Sequence, residues 1–177
     1  MKYLLPTVFF LFALILLSTS CEKIRQLPPE PVIEFRQFSM YDSIDPLGNN
    51  SKVGILEFYF EDGDGDLGLE EGTDDENDTV NLFFTLYRKT DGVFTEVTSE
   101  DDDPNYPSGY RIPYLEREGQ NKILQGTAEI TFFYFFYDPE DTIRYDFYIK
   151  DRAGNESNVE TTCEIPFSLE GKCITKE

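Results

Sequence analysis

The chain reads as an all-β protein, an antiparallel β-sandwich of about seven to nine strands. Three observations carry that reading. Short runs that alternate apolar and polar, or stay apolar throughout, recur between turn signals rich in Gly, Pro and Asp. No window keeps a helical period of 3.6 residues for two turns. The composition supports a packed core: of 177 residues 40% are hydrophobic, with 16 Phe and 11 Tyr.

The first element is an address. Lys2 supplies a short positive start, and residues 3–17 are apolar except for Pro6 and Thr7. That run is short of the roughly 20 residues a bilayer span needs and has the length of a secretory core segment. Ser18-Thr19-Ser20-Cys21 follows. Small residues ending in cysteine resemble the lipobox of bacterial lipoproteins, although Leu17 stands one place further back than usual. The resemblance implies cleavage before Cys21 and acylation of that cysteine, an anchor worth about 0.8 kcal/mol per buried CH₂. The layout expected is a signal peptide over 1–20, a lipidated, Pro-rich tether over 21–31, and one domain over 32–177. The membrane, reached through the N-terminal lipid, is then the first partner. The cell envelope is the location, with the outer membrane favoured and the leaflet open.

The strands follow in order. Residues 32–38 and 53–60 alternate or run apolar, and residues 80–89 turn through Asp91-Gly92 into 93–97, a favoured hairpin pair. Residues 111–115 and 122–124 are weaker candidates. Residues 127–137 hold six consecutive aromatics from Phe132 to Tyr137, expected as a central strand buried on both faces under the 98–126 segment; the rival reading is an aromatic platform for sugar or protein, disfavoured for sugar by the absence of Trp. Asp138-Pro139-Glu140-Asp141 breaks that run, 142–150 returns, and 158–166 is the expected last strand.

Asp141-Thr142-Ile143-Arg144-Tyr145-Asp146-Phe147 resembles the start of strand F in immunoglobulin-like domains. The resemblance makes Tyr145 the corner tyrosine and puts Phe147 where the second core cysteine would stand. Asp151–Ser157 resembles the F–G turn of bacterial Ig-like and fibronectin-like domains. The fold expected is therefore an Ig-like β-sandwich, without the usual disulfide and its Trp.

Charge narrows function. With 15 Lys and Arg against 35 Asp and Glu, the formal charge is −20, and there is no His. No excess of cations exists to replace phosphate counterions, so no nucleic-acid partner is expected. Triads built on His and His-ligated zinc are excluded. Glu61-Asp62-Gly63-Asp64-Gly65-Asp66 places carboxylates at alternate positions between glycines, a pattern suited to calcium, which takes six to eight oxygens from a flexible loop. It is not an EF-hand, since Leu67 and Thr73 stand where Gly and Glu are required. Ten of the acids lie between 61 and 79. Under the Ig scheme this loop and the F–G turn share one end, and acids 100–103 are expected to return to it. The candidate calcium ligands are Asp62, Asp64, Asp66 and Glu70, with Asp151 and Asn155 from the second loop. The rival reading of the loop is a solvated acidic turn.

The 60–68 phrase together with 151–158 also resembles small Bacteroidota envelope lipoproteins with Ig-like domains, which implies envelope localisation and no catalytic residues. Cys163 and Cys173 remain as an even pair in an oxidising compartment and are expected to form a disulfide. Asp42-Ser43-Ile44 resembles a Bacteroidota O-glycosylation acceptor, with Ser43 the candidate site in an expected loop. Two function classes stay open. One is a non-catalytic binding or accessory lipoprotein with an envelope protein or glycan partner. The other is a carboxylate-dependent hydrolase acting on glycans, disfavoured by the shallow surface of a small sandwich.

Overall fold

Alternation in 32–44 and 50–62 gives two long strands whose inward residues are apolar and whose outward ones are polar. The computed structural model describes residues 27–69, 80–100, 103–107, 109–115 and 122–174. Its strands are β1 (Val32–Ile44), β2 (Asn50–Asp62), β3 (Leu82–Thr90), β4 (Val93–Glu96) and β5 (Leu124–Tyr134). After these come β6 (Thr142–Ile149), β7 (Glu160–Thr161), β8 (Ile165–Pro166) and β9 (Gly171–Cys173). One sheet has the order β5-β2-β1-β9; the other has β4-β3-β6-β7, with β8 also on β6. All strand pairings are antiparallel. The chain changes sheet four times, between β2 and β3, β4 and β5, β5 and β6, and β8 and β9, as a sandwich requires.

The core lies between the sheets. Phe38, Leu56 and Phe58 face Leu86, Tyr145 and Phe147, all fully buried. Each such side chain contributes about 1.5–3 kcal/mol by leaving water. Phe58 on β2 and Phe147 on β6 meet at 5.3 Å between ring centroids, bridging the sheets where an inter-sheet disulfide was expected to be missing. Tyr145 departs from the corner arrangement. Its hydroxyl lies 3.2 Å from that of buried Tyr134, a side-chain partner across the core.

Several expectations are corrected. The aromatic run is not a central strand: β5 is at a sheet edge, and only one of its faces meets the core. Phe132 and Tyr134 are buried, whereas Phe133 is 62% exposed, and Phe135 and Phe136 lie beyond the strand in the turn at 49% and 72%. The pleat, with its period of two, decides which ring faces in. Tyr110 from this segment still covers part of the core, its ring reaching Phe84 at 5.6 Å and Phe132 at 5.3 Å. The expected last strand divides into β7 and β8, since Thr162 turns inward and its hydroxyl accepts the Tyr145 N–H at 3.0 Å. Ser43 lies within β1, opposite Ser51, and not in a loop.

Candidate functional site

Register fixes the two ends of the sandwich. Asp62 pairs with Leu124, and Leu82 pairs with Ile149, so the end of β2, the start of β3 and the end of β6 share one pole. Val32 pairs with Glu61, which brings the chain into the domain at this same pole. Residues 27–28, just before β1, pack here: a Cβ on Gly63 would fall 2.1 Å from the Pro28 carbonyl oxygen, so only glycine fits.

At this pole Asp62, Asp64 and Asp66 converge, with one carboxylate oxygen from each lying within 4.8 Å of the others. Asp62 is fully buried. Its carboxylate accepts the N–H of Leu67 at 2.8 Å and of Gly65 at 3.2 Å, which folds the loop around it. Burial pushes its pKa up to about 6; the two N–H bonds oppose that, and neighbouring Asp64 adds to it. Asp66 is also raised, first by burial and then by the charges of Asp151 and Asp64, with Arg152 opposing. Asp66 Oδ2 accepts the Ala153 N–H at 3.1 Å, while Oδ1 is buried with no hydrogen-bond partner among the described residues.

The second loop arrives as expected, but its proposed ligands face each other. Asp151 accepts the backbone N–H of Asn155 at 2.7 Å and its side-chain amide at 2.8 Å, closing the turn. These two residues frame the cluster instead of joining it. Arg152 holds the loops together: its guanidinium donates to the Gly68 carbonyl at 2.8 Å and lies 4.9 Å from the Tyr114 ring centroid. Glu70 and Cys21 lie outside the described residues.

Asn81 carries no motif and is missed by sequence reasoning. It is buried, and its Oδ1 accepts the Ile112 N–H at 2.6 Å. Its backbone N–H donates to Tyr110 at 3.1 Å and its carbonyl accepts from Lys150 at 2.9 Å. It thereby fastens the 110–112 segment beneath the acidic loop. A single Asn at a strand start reads only as a turn residue.

Acids 100–103 do not all return to this pole. Asp103 is buried at the opposite one, where Arg88, paired with Ile143, donates to its carboxylate through Nε at 2.7 Å and also reaches Asp141. The pull of the half-buried Arg88 guanidinium on a carboxylate that is itself buried outweighs the pattern of the surrounding acids. Asp101 and Asp102 lie outside the described residues.

Cys163 and Cys173 are joined as a disulfide with Cα atoms 6.3 Å apart. Because β9 pairs with β1 while Cys163 sits between β7 and β8, the bridge ties one sheet to the other along an edge. Comparisons of the chain with protein-family models, with curated proteins and with solved structures gave no match in any of the three.

Proposed function

We propose that the protein is a non-catalytic, lipid-anchored module of the cell envelope whose acidic pole binds calcium. The observation that carries the calcium reading is the convergence of three carboxylates within 4.8 Å on one loop. Buried Asp66 Oδ1, which has no hydrogen-bond partner among the described residues, supports it. Calcium would take oxygens from Asp62, Asp64 and Asp66 and fill its remaining positions from water or neighbouring carbonyls. It would also favour the ionised form of Asp62 against the burial that raises its pKa. Residues 27–28 pack on Gly63, so ordering the loop would order the chain just before β1.

The anchor is supported by the apolar run ending in Cys21. Envelope protein and glycan partners both fit an accessory role of this kind. Calorimetric titration of the mature protein with calcium tests the metal reading. Saturable binding that Asp64→Asn abolishes, and Asp91→Asn in the distant hairpin does not, is the expected result. Binding that ignores Asp64 would make the loop a solvated acidic turn. Intact mass from envelope membranes tests the anchor, with acyl mass on wild type and its loss in Cys21→Ala expected.

A further inference from the structure

At the pole opposite the acidic loop, two adjoining hollows open between the end of β1, the start of β2 and the turn after β5. One has a volume of about 400 Å³ and is walled by Asp42, Ser43, Ile44, Asn50, Ser51 and Tyr137. The other, about 430 Å³, shares Asn50 and Tyr137 and is bounded by Phe135 and Phe136. We propose that this paired hollow binds a neutral oligosaccharide, with sugar hydroxyls on the polar wall and a pyranose face on the exposed phenylalanines.

The chemistry of the lining selects that class. Two serine hydroxyls, a carboxamide and a phenol offer both donors and acceptors. The carboxylate in the wall, Asp42, is already paired with Lys52 at 2.5 Å, a contact that also holds its pKa below the usual range. Glu170 also contacts Asp42, so the one cation at the wall faces two acids and the hollow is weakly negative, which disfavours an anionic ligand. Asp138 and Glu140 in the adjoining turn repel an anionic ligand. A neutral ligand with many hydroxyls and apolar CH faces matches such a wall; an acidic one does not. The first hollow is half open and the second is a shallow face, so a ligand would lie along the surface with one side in solvent.

The walls are also stiff before any ligand arrives. Asp45 accepts the N–H groups of Leu47 at 2.9 Å and Asn49 at 2.8 Å, locking the turn between β1 and β2. Across the hollow, the Phe136 carbonyl accepts from the Asn105 side chain at 2.9 Å, and Asp138 accepts the Glu140 N–H at 2.9 Å. Preorganised walls reduce the ordering cost of binding. Phe136 is 72% exposed, so its ring adds little to the core, yet the backbone that presents it is held in place.

The proposal is independent of calcium at the other pole. Its test is saturation-transfer NMR and calorimetry on the mature protein with neutral tetrasaccharides of differing linkage, in calcium and in chelator. A tetragalacturonate and a cationic amphipathic peptide serve as contrasts. At least one neutral tetrasaccharide should bind, and Phe135→Ala with Phe136→Ala should weaken it at least about tenfold with the melting temperature unchanged. Asn50→Asp should also weaken it, since it keeps the shape and withdraws the amide donors. Failure of every neutral sugar, indifference to the phenylalanines, or stronger binding of the acidic sugar or the peptide would overturn the proposal. Sugar binding that persists in chelator leaves this site standing even where the calcium reading fails, and sugar failure in both conditions leaves the calcium reading untouched.

Discussion

The two poles of the sandwich use the same residue type in opposite ways. At one, Asp103 and Asp141 share the guanidinium of Arg88, so a buried carboxylate is satisfied from within the chain. At the other, Asp62, Asp64 and Asp66 crowd together with Arg152 as the neighbouring cation, and burial raises both Asp62 and Asp66. A buried acid with its own cation is part of the scaffold. A half-buried acidic cluster with a single neighbouring cation is where the proposed calcium would sit. Composition alone, 35 acids in one chain, does not separate the two.

The largest effect expected from breaking this contrast is at the paired pole. Arg88→Met strands the Asp103 charge in the interior and should cost about 3–5 kcal/mol by chemical denaturation, since removing one partner of a buried pair leaves the other uncompensated. Asp62→Asn at the other pole should cost far less in the absence of calcium, because it removes a charge that burial already disfavours. Equal losses would erase the distinction between the poles.

Next in size is the seam between the sheets. Cys163→Ser with Cys173→Ser should lower stability by about 2–3 kcal/mol, the loop-closure entropy for a short loop. The readout is urea denaturation of the oxidised protein against the double variant.

A smaller effect, in pH, sharpens the account of the acidic pole. Asp62 titrates near 6 in the folded protein against a usual value of 3.8, so between those values the folded state holds a proton that the unfolded state has released. Stability from this group is therefore fullest below pH of about 4 and is lost as pH rises through about 6. The difference in stability between wild type and Asp62→Asn, followed from pH 4 to 7 in chelator, should fall with rising pH. Calcium should flatten that fall, because it favours the ionised form.

Much of the fold was legible because it rests on local signals. The Asp91-Gly92 pair takes positive φ at both residues, 51° and 80°, and closes the hairpin where the dipeptide places it. The long strands and the aromatic core follow from alternation. The parts that were not legible depend on distant partners. Asp103 looks like any member of an acidic run until Arg88 is placed beside it. The strand Gly171–Cys173 is too short to show a period and exists through its pairing with β1 and the bridge to Cys163. At the candidate site, the spacing of the three aspartates was readable from 62 to 66. That Asp151 and Asn155 bond to each other was not, because an Asx turn and a metal ligand draw on the same residue types.

The most direct test of the central claim is thermal unfolding of the mature protein in calcium, magnesium and sodium chloride of matched ionic strength. Binding to the folded state alone stabilises it by RT ln(1 + [L]/Kd), about 2.7 kcal/mol at a hundredfold excess over Kd. The account predicts a rise of several degrees in calcium, a smaller rise in magnesium, whose octahedral demand and firmly held waters suit the loop poorly, and no calcium response in Asp64→Asn. Equal shifts in all three salts would mean simple screening of a solvated acidic pole and would contradict the claim.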